Sequence, residues 1–161
     1  MSIKTNILII CAISLLATYL TSCFISGGTH GSLEEYQYPT TKVNLEKALL
    51  NIIESNPNIT RQSDTAFDQY YNERGYLTLT IKKDSAENEY VIRFYGDSLY
   101  WETAKVSELF ICYAYDKYRN GGSEGNGGVR RKVLRPLLEV FESEIIRKID
   151  SSLNLTHTDP K

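Results

Sequence analysis

Thiol, imidazole and carboxylate groups do most of the covalent and proton-transfer work in proteins, and in this chain their placement narrows the chemistry before any element is assigned. Of the three cysteines, Cys112 alone lies deep in the sequence, inside an apolar run where a thiol packs as a small hydrophobe. A thiol or hydroxyl nucleophile needs a base within hydrogen-bond reach. His30 and His157, the two histidines, fall toward the two ends of the chain. Neither a Cys-His nor a Ser-His relay is expected, and two distant imidazoles with one mid-strand thiol make no zinc site. Asp116-Lys117-Tyr118-Arg119-Asn120-Gly121 has the opening rhythm of a calcium loop, yet Tyr118 and Gly127 stand at the third and twelfth positions, where oxygen donors are required. No catalytic residue, metal or cofactor is expected. Glycoside hydrolysis, which needs only two carboxyl groups across a cleft, stays open as the alternative. Asp97, Glu102, Glu108 and Asp116 are its candidates, and their spacing selects no pair.

Cations and aromatic rings offer binding chemistry instead. Arg130, Arg131, Lys132 and Arg135 crowd the start of a predicted helix, behind a stretch, 120–128, with five glycines in nine residues. Cations at a helix start oppose the dipole. Without the Gly-Lys-Ser/Thr ending of a P-loop, the cluster points to lipid phosphates or an acidic partner, with a solvated face as the plainer reading. The chain holds 12 Tyr and one Trp against five Phe, and rings that join a large apolar area to a polar edge concentrate at binding sites. Tyr76 and Tyr95 are predicted on strand faces shared with Thr78, Thr80, Lys82 and Arg93. Tyr70, Tyr71, Tyr100 and Trp101 lie in neighbouring connections. Trp101, Tyr95, Tyr100 and Tyr76 form the candidate patch for a glycan or an envelope protein. The alternative is that the rings roof a sheet with too few helices.

The elements that must position these groups follow from periodicity. Leu45, Ala48, Leu49, Ile52 and Ile53 recur at helical spacing, with Asn44 as N-cap and Asn56-Pro57 as the stop. Leu77, Leu79 and Ile81 alternate with polar residues as in a strand, and after a polar hairpin run so do Tyr90, Ile92 and Phe94. A connection over 98–107 leads to a third strand that is apolar on both faces, Leu109, Ile111, Tyr113 and Tyr115 against Phe110, Cys112 and Ala114. Val133, Leu134, Leu137, Leu138, Val140, Phe141, Ile145 and Ile149 then mark a long helix that starts or bends near Pro136. The expected class is α+β: a helix, a three-stranded antiparallel meander and a long C-terminal helix packed on the sheet. One domain over 41–150 is expected, with a tether over 23–40 and a polar tail over 151–161.

Residues 1–22 have another purpose. Lys4 precedes an apolar run over 7–17 that is too short to span a bilayer comfortably, and Leu20-Thr21-Ser22-Cys23 follows. This order resembles the signal and lipobox of bacterial lipoproteins. The resemblance implies cleavage before Cys23, a diacylglyceryl group on its thiol and acylation of the new amino terminus. It also implies anchorage in the cell envelope, with the periplasm-facing side of a Gram-negative outer membrane as the expected address. Loss of residues 1–22 removes Lys4 and no acid, taking the formal charge from −2 to −3, which argues against nucleic acid as a partner. Cys112 is then left without a partner thiol, so no internal disulfide is expected. Asp64-Thr65-Ala66, Asp84-Ser85-Ala86 and Asp97-Ser98-Leu99 each resemble an O-glycosylation signal of certain Gram-negative anaerobes, which implies Thr65, Ser85 and Ser98 as acceptors.

Overall fold

A computed structural model of the chain describes residues 32–62, 76–123 and 129–159. Strands β1 (Glu34–Tyr38), β2 (Ile59–Arg61), β3 (Tyr76–Lys83), β4 (Ala86–Phe94), β5 (Ser107–Asp116) and β6 (Gly121–Ser123) form one antiparallel sheet. Its order is β1-β5-β4-β3-β2, with β6 also on β5. Helices α1 (Lys42–Ser55), α2 (Ser98–Thr103), α3 (Arg131–Phe141) and α4 (Arg147–Leu153) complete the fold, and a π turn, Glu142–Ile146, joins α3 to α4.

The α+β class and the C-terminal helix are as expected, but the three-stranded meander is only the middle of a six-stranded sheet. Residues 34–38 are an edge strand and not tether: Tyr36 and Tyr38 point to one face and are fully buried. Residues 98–103 form the short helix α2. The cap of α1 is Thr41, whose hydroxyl accepts the Asn44 N–H, so the helix begins before Asn44. The long helix begins at Arg131, ahead of Pro136. The tail is docked: Gln37 and Thr158 exchange two backbone hydrogen bonds of 2.9 Å, closing the outer edge of β1. His157 Nδ1 lies 2.9 Å from an Asp150 carboxylate oxygen.

Alternation assigns the two faces of the sheet. Leu79, Ile81, Tyr90, Ile92, Phe94, Leu109, Ile111 and Ala114 join Leu45, Leu49, Ile52 and Ile53 of α1 and Leu137, Phe141, Ile145, Ile146 and Ile149 of the C-terminal helices in one buried cluster. Tyr90 donates its hydroxyl to the Leu137 carbonyl at 2.8 Å and so ties β4 to α3 one turn before the π turn. In β5 the strict alternation fails. Val91 pairs with Tyr113 but Ile92 pairs with Ile111, so Cys112 is the extra residue of a bulge. The bulge lets Leu109, Ile111 and Ala114 all face the helices. Tyr113 and Tyr115 are turned to the second face with Phe110, which corrects the two-face division expected from the sequence.

Candidate functional site

Residues directly opposite each other on adjacent strands share a face, and the pairs Tyr76–Arg93, Arg93–Phe110, Val91–Tyr113 and Glu89–Tyr115 place these side chains together on the second face. Gly96 begins the row at the sheet end. Its φ of +92° suits glycine, and a Cβ there would lie 2.3 Å from Tyr100 Cδ1. That close approach lets the Tyr100 ring meet the Tyr95 ring edge-on, with centroids 5.5 Å apart at 89°. Tyr95 meets Phe110 at 5.8 Å. The Arg93 guanidinium carbon stands 5.0 Å from the Phe110 centroid and 5.8 Å from that of Tyr76. Farther along, Tyr113 and Tyr115 stack at 6.2 Å, and Arg119 covers Tyr115 at 4.1 Å while pairing with Glu89 at 2.8 Å. The result is a line of rings interrupted by guanidinium groups, each a favourable cation–π contact. Tyr95 and Tyr100 are 36% and 37% exposed, and Tyr76, Arg93, Tyr113 and Tyr115 are half-buried.

Of the predicted patch, the structure brings Tyr95, Tyr100 and Tyr76 to the second face and packs Trp101 against the buried cluster of the other. Tyr95 and Tyr100 touch directly, while Tyr76 joins them only through Arg93 and Phe110. Trp101 is half-buried and donates its indole N–H to the Tyr95 carbonyl at 2.6 Å. The Lys42 ammonium lies 4.7 Å above its ring, so Trp101 fastens α2 to the sheet end. Leu99 beside it is 74% exposed. Phe110, Tyr113, Tyr115 and Arg119 were not foreseen at this surface. The tyrosines at 113 and 115, two apart and polar-edged, were the available signal.

Three of the four carboxylate candidates lie at the α2 end of the sheet and Asp116 at the opposite end. Asp97 caps α2 by accepting the Tyr100 N–H at 3.0 Å, Glu102 is exposed on that helix, and Glu108 accepts the Gln37 side-chain amide at 2.9 Å. Asp116 is eight residues along β5 from Glu108, roughly 27 Å at strand rise. Its oxygens accept the N–H groups of Tyr118 and Asn120 and the Asn120 side-chain amide, each at 2.8 Å. The Asn120 amide, ahead of the other contacts, holds the Asp116 carboxyl below the usual carboxylate range. The calcium-like rhythm is therefore a turn. Gly121 completes it, since a Cβ there would stand 2.0 Å from the Ala114 carbonyl oxygen.

A carboxylate cluster the sequence did not reveal lies at the start of β1. Burial first, then Asp159 and Glu142, push the Glu34 carboxyl up from its ordinary range. Glu34 and Glu142 line a groove with Arg131, Lys132, Arg135 and Leu138, where Arg135 pairs with Glu139 at 2.9 Å. The basic helix start is thus interleaved with acids, and Arg130 lies just ahead of the helix as its uncapped first residue. Ser85 and Ser98 are exposed, at the β3–β4 turn and the first turn of α2. Cys23, Thr65, Tyr70 and Tyr71 lie outside the described residues. Among the described residues no group of three or more His, Cys, Asp or Glu is placed to hold a metal ion, and no helix is long and apolar enough to cross a membrane. No protein-family model, curated protein or solved structure matches this chain.

Proposed function

We propose that this chain is a lipid-anchored, non-catalytic binding or assembly module of the cell envelope. Acylated Cys23 holds it to the periplasm-facing side of a Gram-negative outer membrane, and the second face of the sheet meets a glycan or an envelope protein. The line Tyr100–Tyr95–Phe110–Arg93–Tyr76, continued by Tyr113, Tyr115 and Arg119, carries the reading. The exposed and half-buried tyrosines, laid over a buried Phe110, present flat apolar area to sugar C–H faces or to peptide side chains. The guanidinium groups between them supply directional donors, a composition enriched at energetic centres of interfaces. Two or three acyl chains on Cys23, at about 0.8 kcal/mol per buried methylene, make a durable anchor without any spanning helix.

Trp101 reports on this surface because its indole is bonded to Tyr95. Titration of envelope polysaccharides and purified envelope proteins should shift its emission, and Tyr95→Ala with Tyr100→Ala should abolish the shift while the fold persists. A ligand that binds both forms equally would exclude the patch. For the anchor, Cys23→Ala should leave unprocessed or soluble protein, and cut, wholly membrane-bound Cys23→Ala protein would refute it.

A carboxylate-dependent, glycan-directed hydrolase is the second reading. It is favoured by the placement of Glu34 beside Glu142 in a groove, where burial first raises the Glu34 carboxyl from its ordinary range, the direction a general acid needs. Glycan turnover lost in Glu34→Gln but kept in Tyr95→Ala would favour the enzyme over the binding module.

A further inference from the structure

At the end of the sheet away from α2, the β3–β4 turn, the turn after β5 and one flank of α3 enclose a cavity of about 550 Å³, within the usual range of small-ligand sites, roughly 300–1,000 Å³. Ala86, Val133, Pro136, Leu137 and Val140 give it an apolar wall, and Lys117 and Lys132 stand on its rim. Two carboxylates are near, and both are engaged elsewhere. Asp116 accepts three N–H bonds within its own turn, and Glu87 faces Lys82 at 3.6 Å. Lys132 forms no ion pair among the described residues. Lys117 forms no ion pair within 4 Å among the described residues; it reaches the Ser85 carbonyl at 3.4 Å and the Tyr118 ring at 5.1 Å, and its charge acts on Asp116 more weakly than that group's own turn bonds do. An apolar wall edged by two ammonium groups that form no close ion pair among the described residues is complementary to a molecule with an apolar body and one anionic head.

We propose that this cavity binds a small amphipathic anion, its medium-length apolar body against Val133, Pro136 and Val140 and its carboxylate or phosphate head between Lys117 and Lys132. A neutral analogue keeps the apolar contacts but leaves the two ammonium groups unsatisfied, so the head supplies the selectivity. The site is separate from the aromatic face, and its occupancy does not require the Cys23 anchor.

The test is calorimetric titration of the full chain with decanoate, decyl phosphate and decanol, each kept below its micelle concentration, with backbone amide shifts mapping the contact. Both anions should bind at least about tenfold more tightly than decanol, shifting amides of Ala86, Val133 and Lys117. Whichever anion binds more tightly identifies the head the site is built for, and either order supports it. Lys117→Gln with Lys132→Gln should weaken both anions by about tenfold or more and leave decanol unchanged. Val133→Asp should weaken all three while circular dichroism stays native. Absence of anion binding in the folded chain would overturn the site, as would equal anion binding by the double lysine variant. Shifts confined to Leu33 and Leu138, in the groove on the other flank of α3, would overturn it as well.

Discussion

Tyr90 and Tyr113 sit on adjacent strands of one sheet, and the surroundings of each ring show how the same side chain serves a core on one face and a surface on the other. Tyr90 is fully buried, 5.1 Å from the Phe141 ring. Its hydroxyl donates to Leu137 and receives the Asn88 amide at 3.3 Å, and burial pushes that hydroxyl's pKa up. Tyr113 is half-buried and stacked on Tyr115, whose other neighbour is a guanidinium. Tyr90 is closed in by core side chains with its hydroxyl bonded at both roles. Tyr113 and Tyr115 stay partly open to solvent, and Arg119 lies over the Tyr115 ring.

The largest difference between the faces should be in stability. Phe141→Ala should cost about 3–5 kcal/mol in urea unfolding, the range for a fully buried aromatic, whereas Tyr113→Ala should cost about 1 kcal/mol or less. Equal losses would mean that the second face is core and would break the distinction.

Next comes Gly96→Ala. The left-handed backbone and the Tyr100 contact together should cost about 1–3 kcal/mol. Displacement of the Tyr100 ring should also change the near-ultraviolet circular dichroism, and a native spectrum with unchanged stability would refute the role given to Gly96.

The smallest effect sharpens the comparison at the margin of the covered face. Glu34 has its pKa raised, so its ionised form disfavours the native state above that pKa and the penalty vanishes as pH falls through it. Glu34→Gln should therefore stabilise at pH 7 by up to about 1 kcal/mol, given its partial exposure, with the gain gone below the ordinary value of 4.5. Glu144 is the opposite case, held down by Lys148 first and then Lys83. Glu144→Gln should destabilise at pH 7, and the loss should shrink only as pH falls from 4.5 through the lowered Glu144 pKa. Urea midpoints of both variants from pH 3 to pH 8, on the scale of carboxylate titration, check the two signs together.

The sequence made the covered face legible where a period repeats several times. The α1 stripe, all five residues of which are buried, and the alternations of β3 and β4 are cases of this kind. Signals fell short where the repeat was brief or absent. β1 offers only Tyr36 and Tyr38, β2 is three residues long, and β6 is Gly-Gly-Ser, with no apolar side chain to set a period. The bulge at Cys112 leaves no trace in a run that is apolar on both sides, so a period of two groups Tyr113 and Tyr115 with Leu109 and Ile111. Tyr95 and Tyr100 are legible as neighbours because one ends a predicted strand and the other lies in the connection after it, whereas the short helix and Asp97 cap that set their ring contact are not legible. Nor is the anchoring role of Trp101, since it depends on Lys42, far away in sequence.

Contact with a partner along the second face is open to site-specific photocrosslinking in intact cells. A benzophenone side chain replaces Thr78, half-buried between Tyr76 and Thr80 on that face, or Lys47, exposed on α1. A discrete protein or glycan adduct is expected from position 78 and none from position 47. An adduct from position 47 alone, or equal adducts from both, would refute contact through the second face.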